Sequence, residues 1–409
     1  MGVYATVLFL LAHSPAHLTM EIQDFLEPLS PEQFDIYEER KNTMGHVVRK
    51  YFAGNEFPDL SDCHIALLGV EEERGCTGNR GCSEAPDHVR ELFYDLRHAG
   101  YPYKIVDIGN LKPGEKLEDT YAAVALIMSD LLREGILPII LGGSQDLTLA
   151  QYMAYQKLEE TVNIVAVDAQ FNLGKMDDPV SADSFVGKIV MQEPNFLFNF
   201  SNIGYQNYFV GKDQVELMEK LFFDAYRLGN VRKDMEEVEP IVRNADILSF
   251  DIGAIRISDA PGNGNASPNG FYGEEACQIV RYAGMSDKLT SFGIYETNPS
   301  LDVRSQTVHL AAQMLWYFLE GYYNRKKDVP IRDKSGYLKY RVSMKQAEQE
   351  IVFYKSEKSD RWWMDVPYPL NHQLKFERHH MVPCSYNDYE TACKDEMPDK
   401  WLQTFHKLG

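Results

Sequence analysis

The chain has 409 residues, of which 44% are hydrophobic and 12% aromatic, so it can bury a large core and is not a disordered or low-complexity protein. Its 41 Lys and Arg face 61 Asp and Glu, and the formal net charge of -20 argues against nucleic acid or an anionic membrane as the main partner. The six cysteines form no CxxC pair, so a zinc ribbon is not expected and reduced thiols in a cytoplasm are predicted.

The chain begins with an apolar run, VYATVLFLLA at 3–12, which is too short to span a bilayer. No Lys or Arg precedes it, so it does not resemble a signal peptide. The opening MGVYAT also fits an N-myristoylation pattern, an interpretation that we favour less. We expect residues 1–19 to be an extended start upstream of a working Met20, and no other stretch is long and apolar enough to be transmembrane.

From residue 62 onward, strand and helix patterns alternate. Short apolar runs predict strands at 63–70, 103–109, 136–143, 162–169, 246–254 and 288–296. Apolar residues at helical spacing predict helices at 87–100, 119–135 and 146–158. Strands separated by helices indicate a mostly parallel sheet with helices on both faces, which is a three-layer α/β/α fold.

Four of these predicted strands end in short polar side chains. The ends are GGSQD at 142–146, DAQFN at 168–172, DIG at 251–253 and ETNP at 296–299. Because ligands of such sheets bind at the carboxyl ends of the strands, the four ends together indicate one shared cleft. Each end taken alone also fits an ordinary helix cap or turn.

The character of the chain changes near residue 325. We predict an N-terminal segment at 1–61, an α/β domain at 62–325 and a C-terminal extension at 326–409. The extension is rich in aromatic residues, and we expect Trp362 and Trp363 to be buried against the α/β domain or another subunit.

Other motifs receive weaker interpretations. Ser144 lies in a predicted strand-to-helix turn, but GGSQD lacks the final glycine of a nucleophile elbow and His309 is the only available core imidazole. The set His372, His379, His380 and Cys384 could collect zinc, although a surface cluster is favoured because adjacent histidines point in different directions. The run Glu71–Glu72–Glu73 is interpreted as a solvated loop edge.

At the four strand ends the sequence resembles the ureohydrolase superfamily, which contains arginase, agmatinase and formimidoylglutamase. GGSQD resembles the pattern GGDHS, DAQFN resembles DAHxD, SFDIGAIRI at 249–257 resembles SFDxDxxDP, and ETNPS at 296–300 resembles E-x-NP. RGCSEAPDHVR at 80–90 resembles the early loop of the family, and NIGYQNY at 202–208 favours the formimidoylglutamase branch. The resemblance covers roughly residues 62 to 325 and implies an arginase-like fold.

The resemblance also implies a site for two manganese ions that activate water against a guanidine or formimino C–N bond. The six ligand positions, two His and four Asp in the family, correspond here to Gln145, Asp168, Gln170, Asn172, Asp251 and Gly253. Neutral amides are weaker manganese donors than carboxylate or imidazole, so no bound cofactor is expected. Ser144 and Asp146 flank the first of these positions, and Glu296 corresponds to a substrate-binding glutamate of the family.

Three hypotheses follow. The first is a pseudoenzyme, or a small-molecule-binding or assembly protein, that has lost the dinuclear manganese site. The second is an active hydrolase of linear amidine C–N bonds with a remodelled one-cation site at Asp168 and Asp251, in which manganese would return as cofactor. The third is an interaction protein whose aromatic extension is the functional part. We expect a cytoplasmic homo-oligomer with a small amidine or amino-acid-like ligand, and neither a nucleic-acid nor a membrane partner.

Overall fold

The computed structural model describes residues 22–175, 177–331, 333–345, 349–369 and 377–408. Its main sheet has ten strands. They are β1 (Leu26–Glu27), β2 (Arg49–Lys50), β3 (Ile65–Val70), β4 (Ile105–Leu111), β5 (Leu137–Leu141), β6 (Val162–Val167), β7 (Leu197–Tyr205), β8 (Asp224–Arg227), β9 (Ile247–Asp251) and β10 (Ser291–Tyr295).

The strand order is β1-β4-β3-β5-β10-β9-β6-β7-β8, and β2 also pairs with β4. Every pair in this sheet is parallel except β1 with β4. The central strands β3, β5 and β6 are buried along their whole length, as expected for parallel strands covered on both faces. The segment before residue 62 therefore adds β1 and β2 to the same sheet.

Helices cover both faces of this sheet. They are α1 (Pro31–Phe34), α2 (Met44–Val47), α3 (Ala85–Asp95), α4 (Leu117–Arg133), α5 (Leu147–Lys157), α6 (Phe185–Val190), α7 (Lys212–Lys220), α8 (Leu228–Lys233), α9 (Val238–Arg243), α10 (Gly273–Gly284) and α11 (Gln306–Tyr323). One apolar core lies under α3, α10 and α11, and the other lies under α4 and α5. The three-layer α/β/α architecture predicted from the sequence is confirmed.

Two strands at one side of the sheet, β7 and β8, are absent from the sequence prediction. Strand β7 carries Asn199, Ser201 and Asn202, which hide its apolar alternation. The amide of Asn199 and the hydroxyl of Ser201 donate to Asp224 of β8 at 2.6 and 2.8 Å. Asn199 and Ser201 are tolerated in a buried strand because their partner lies on the neighbouring strand.

The C-terminal extension forms a second sheet of four antiparallel strands. They are β11 (Tyr337–Met344), β12 (Gln349–Ser356), β13 (Trp362–Asp365) and β14 (Met381–Cys384), followed by α12 (Tyr386–Cys393) and α13 (Asp399–Leu408). Trp362 and Trp363 are 8% and 2% exposed, so their predicted burial is confirmed, but the Trp362 ring packs on Tyr340 and Tyr389 of the extension itself.

This extension packs against the end of the main sheet where the parallel strands begin. Arg378 donates to Asp246, the residue before β9, at 2.7 Å, and the His379 ring donates to the carbonyl of Thr161, just before β6, at 3.2 Å. Arg243 of α9 donates to the backbone carbonyl of Trp362, and its guanidinium lies 4.4 Å from the Trp363 ring centre. The extension therefore lies opposite the carboxyl ends of the strands.

Two lesser interpretations of the sequence are wrong. Glu72 is 2% exposed and accepts from Arg74 and from the Thr120 hydroxyl, so it is a buried partner and not part of a solvated edge. His379 and His380 are buried as well, His379 by stacking on Phe198 and His380 by edge contact with Tyr368, and so they form no surface cluster. His372 lies outside the described residues. Residues 1–19, expected to be an extended start, lie outside them as well.

Within the described part of the chain, no helix is both long enough and apolar enough to cross a membrane.

Candidate functional site

The predicted cleft lies at the carboxyl ends of β5, β6, β9 and β10, which are neighbours in the sheet. Strand β5 turns into α5 through Gly142 and Gly143, both with positive φ, at 84° and 72°. A Cβ at Gly143 would lie 2.7 Å from the carbonyl of Glu72, so this turn has room only for glycine. The turn brings Ser144, Gln145 and Asp146 to the edge of the sheet, where all three are fully buried.

The centre of the cleft is a chain of hydrogen bonds between amides and one carboxylate. The amide nitrogen of Asn172 donates to Asp168 Oδ2 at 2.5 Å and to Gln145 Oε1 at 2.9 Å. The backbone N–H of Gln170 donates to the other oxygen, Asp168 Oδ1, at 2.8 Å. Gln145 in turn donates to the Ser249 hydroxyl at 3.2 Å. Three of the predicted site residues, Gln145, Asp168 and Asn172, are thus brought into direct contact.

Gln170 does not join this chain through its side chain. The residue is exposed, and its backbone carbonyl accepts from the Asn202 amide at 2.6 Å. Its contribution to the cleft is the backbone N–H that binds Asp168.

Asp251, at the end of β9, accepts from the backbone N–H of Gly253 at 2.6 Å. A Cβ at Gly253 would lie 3.1 and 3.3 Å from the two oxygens of Asp251 and 3.4 Å from the Asn263 amide. A larger side chain at position 253 therefore requires small shifts of these neighbours. The position holds no donor side chain of its own.

Glu296 is held in place by neighbours from distant parts of the sequence. It is 3% exposed and adopts a left-handed backbone conformation with φ of 64°. Its Oε1 accepts from the Gln145 N–H at 2.8 Å and its Oε2 accepts from the Asn79 amide at 2.8 Å. Asn79 and Asn263 also donate to the backbone carbonyl of Glu296. Neither Asn79 nor Asn263 was predicted from the sequence, where their only signal was the Asn-rich and Gly-rich character of their loops.

Asp146 points away from the amide chain. It accepts hydrogen bonds from the hydroxyls of Ser144 and Tyr121 and is fully buried. The Ser144 hydroxyl is thus committed to a carboxylate, and His309 is exposed on α11. This arrangement gives no support to the serine-nucleophile interpretation.

Burial makes the carboxyl groups of the cleft hard to ionise. Desolvation raises the pKa of Asp168 to about 7, against the opposing effect of its hydrogen bonds. Desolvation and the charge of Asp251 raise the pKa of Glu296 to about 8, and desolvation together with Asp168 raises the pKa of Asp251. Three acids therefore share a buried space in which their charges repel.

A dinuclear manganese site does not fit these residues. Of the six positions that correspond to ligands, only Asp168 and Asp251 carry carboxylates, and the Asn172 N–H already occupies one oxygen of Asp168. No group of three or more His, Cys, Asp or Glu side chains within the described residues has a geometry that could hold a metal ion. The carboxylates of Asp168 and Asp251 are the residues to which a single cation could bind.

Comparison with known proteins agrees with this fold. The sequence pattern of the Arginase family matches residues 63–320. The chain is 25% identical over 290 residues to a formimidoylglutamase of Staphylococcus aureus, an alignment that covers 66% of this chain and 93% of the relative. It is 24% identical over 268 residues to the formimidoylglutamase of Staphylococcus haemolyticus, with 62% of this chain and 85% of the relative covered.

Solved structures give the same fold. The formiminoglutamase of Trypanosoma cruzi with manganese superposes with a TM-score of 0.61 at 19% identity, covering 67% of this chain and 97% of that protein. The formimidoylglutamase of Bacillus subtilis superposes with a TM-score of 0.58 at 19% identity, covering 67% and 96%. The chain is thus formimidoylglutamase-like, and it belongs to the arginase family.

Proposed function

We propose that this protein is a formimidoylglutamase-like member of its family that has lost the dinuclear manganese site and works without metal-dependent hydrolysis. It would act as a pseudoenzyme that binds a small amidine or amino-acid-like molecule or supports an assembly of its own subunits. We also propose that the protein is cytoplasmic.

The observation that carries this proposal is the position of the Asn172 amide. Its N–H₂ group lies between Asp168 Oδ2 and Gln145 Oε1, at 2.5 and 2.9 Å, and donates to both. A cation shared by these oxygens would need the same space, and the amide satisfies them without a charge. Loss of the imidazoles at 145 and 170 and loss of the carboxylates at 172 and 253 are therefore consistent with one another.

The second candidate function is hydrolysis of a linear amidine C–N bond with a single cation at Asp168 and Asp251. The observation in its favour is that, among the described residues, the Asp251 carboxyl is paired only with the Gly253 N–H and lies near the acid of Glu296. Buried acids of this kind gain from a nearby cation, since an opposite charge favours ionisation. Hard cations also accept mixed carboxylate and amide oxygens.

Metal content separates the two candidates. The full-length chain is incubated with manganese, calcium or magnesium, passed through a desalting column and analysed by elemental mass spectrometry. We expect far less than two manganese ions per chain and no hydrolysis of formimino or guanidino substrates. One bound cation whose removal by chelator abolishes turnover would establish the second candidate. Two manganese ions with chelator-sensitive turnover would refute the loss of the dinuclear site.

A further inference from the structure

A pocket of about 440 Å³ lies at the carboxyl ends of the two outermost strands, β7 and β8. Tyr205 at the end of β7 is in register with Arg227 at the end of β8, and both line the pocket. The register of β7 with β8 shifts between Ile203 and Tyr205, at Gly204, whose φ is 105° and where a Cβ would lie 2.5 Å from the Phe271 ring. The loop after β7, at 206–208, belongs to the motif NIGYQNY, to which the proposed function gives no role.

The pocket is separated from the acidic cleft by the loop itself. The backbone N–H of Gln206 donates to the carbonyl of Ala169 at 2.9 Å, and its side-chain amide donates to the carbonyl of Asn269 at 3.2 Å. Both contacts fix the wall of the pocket next to the segment that carries Asp168. A ligand in this pocket would therefore lie beside the cleft and not within it.

The charge of the pocket is opposite to that of the protein. The chain as a whole has a formal charge of -20, yet the pocket is lined by Arg227, Arg232 and Lys233. None of the described residues that line it is Asp or Glu. Across the described residues, the ion pairs involve neither Arg227 nor Lys233. Both side chains are exposed, and the acid next to them in sequence, Asp234, does not line the pocket.

The third cation is held in a fixed orientation. Arg232 donates through Nε to Glu275 at 3.1 Å, and its guanidinium lies 4.1 Å from the centre of the Tyr272 ring. A guanidinium fixed by an aromatic face and one carboxylate loses little conformational entropy on binding a further group. Tyr205, packed on Phe171 at 4.8 Å between ring centres, stiffens the opposite wall.

From this placement we propose that the pocket is a binding site for a small oxyanion, either a carboxylate or a phosphate group of a metabolite. Arginine and lysine are the residues that bind such groups, and two arginines offer planar forks that match two oxygens. The volume suits a small molecule. The site is independent of the cleft, so it does not depend on whether the cleft binds a metal.

The test uses the full-length protein and two probes, inorganic phosphate and the dicarboxylate glutarate, in titration calorimetry at constant ionic strength set with sodium chloride. We expect saturable binding of at least one probe. The double variant Arg227→Gln/Lys233→Gln should weaken that binding by about tenfold or more, since two charge-assisted contacts are lost. The control is Lys212→Gln, which removes one positive charge from a side chain that is 92% exposed on α7.

Binding of phosphate alone, of glutarate alone or of both supports the site and identifies its preferred group, provided that the double variant loses it and Lys212→Gln keeps it. Circular dichroism establishes that the double variant is folded, and the single variants Arg227→Gln and Lys233→Gln serve if it is not. Absence of saturable binding by either probe at millimolar concentration overturns the proposal, as does equal binding by the parent and the folded variants.

Discussion

The two ends of the main sheet bury charged groups in opposite ways. At the amino ends of the strands, acids meet cations: the buried Asp246 accepts from Arg378, and the half-buried Glu239 pairs with both Arg243 and Arg361. At the carboxyl ends, in the part of the chain that the structure describes, Asp168, Asp251 and Glu296 are paired with amides and backbone N–H groups alone. The acids at the amino ends are neutralised by cations of the same chain. The acids at the carboxyl ends repel one another unless they are protonated or a cation binds between them.

The two ends of the sheet should therefore contribute to the free energy of unfolding with opposite signs. Ion pairs at the amino ends join the extension to the domain, so their removal should lower the stability. The acids at the carboxyl ends contribute repulsion in the absence of a cation, so their removal should stabilise the fold.

The largest effect is expected from truncation after residue 325. It removes Arg361, Arg378 and the strand of Trp363, so Asp246 loses its contact at 2.7 Å but keeps Lys288, and Glu239 loses its contact at 3.1 Å but keeps Arg243. The loss of one of two cations at each acid and of the buried apolar surface around Trp363 lowers the stability of the domain. We expect a markedly lower melting temperature and lower solubility or a changed mass, measured by calorimetry and by size exclusion with light scattering. An unchanged mass and melting temperature would show that the extension is a loose appendage.

A single substitution at the same interface should have the next largest effect. Arg243→Met removes donors to the carbonyls of Trp362 and Cys384 and the ion pair with Glu239. Because the Arg243 side chain is 4% exposed and Glu239 keeps Arg361, the main cost is that of the unsatisfied carbonyls, and we expect a loss of about 1–3 kcal/mol in urea unfolding. Arg341→Met is the control, since its ion pair with Glu350 is exposed and worth about 0–1 kcal/mol. Equal losses in the two variants would contradict the assigned role of the interface.

Removal of an acid from the cleft should raise the stability of the protein. The pKa of Asp251 is raised in the folded state by desolvation and by Asp168. A raised carboxyl pKa gives stability that is complete below the unfolded value of 3.8 and is lost as the pH rises toward the folded value. Asp251→Asn keeps an oxygen for the Gly253 N–H, so the variant should be more stable than the parent at pH 8 in urea unfolding.

The matched control for this substitution is Asp259→Asn. The pKa of Asp259 lies below its ordinary value because it accepts from the Gly273 N–H and from Arg256, against the effect of partial desolvation. Its replacement should destabilise the protein at pH 8. Destabilisation by Asp251→Asn under the same metal-free conditions would mean that the cleft is not a region of net repulsion.

A smaller effect, on the stability at low pH, is expected from substitution of His379. Desolvation and the charges of Lys288 and Arg378 lower its pKa well below 6.5, against the favourable contact with the Thr161 carbonyl. The unfolded chain therefore takes up a proton first, and stability falls as the pH drops below 6.5, by about 1.4 kcal/mol per pH unit. His379→Gln should reduce the fall between pH 7 and pH 5 in thermal melts. His309→Gln, at an exposed imidazole, is the control, and an unaltered acid limb in His379→Gln would contradict the assignment.

How much of this contrast was visible in the sequence depends on the range of the contacts. The apolar runs of β5 and β6 and the polar residues after them predicted both the fold and the cleft, because strand ends of a parallel sheet meet at one edge. The bond from Asn79 to Glu296 joins residues 217 positions apart, and no local pattern specifies it. Strand β7 was missed for a related reason, since Asn199 and Ser201 are satisfied by Asp224 of another strand. Burial of His379 likewise depends on Phe198 of the main sheet.

No effect is expected from a single substitution that restores one of the six ligand positions of the cleft. Gln145→His should produce no hydrolysis of formimino or guanidino substrates and no stoichiometric manganese, because Gln170, Asn172 and Gly253 still lack donors that bind manganese well. The introduced imidazole would also remove the oxygen that accepts from Asn172 at 2.9 Å. The matched variant is the quadruple Gln145→His/Gln170→His/Asn172→Asp/Gly253→Asp, in which the Asp at 253 must displace neighbours that lie 3.1–3.4 Å from its Cβ. Manganese uptake by the quadruple variant alone would show that the acids at this end of the sheet lack only their ligand partners. Turnover by the single variant would show instead that the cleft is a working site one residue short, and the loss of function proposed for it would then be wrong.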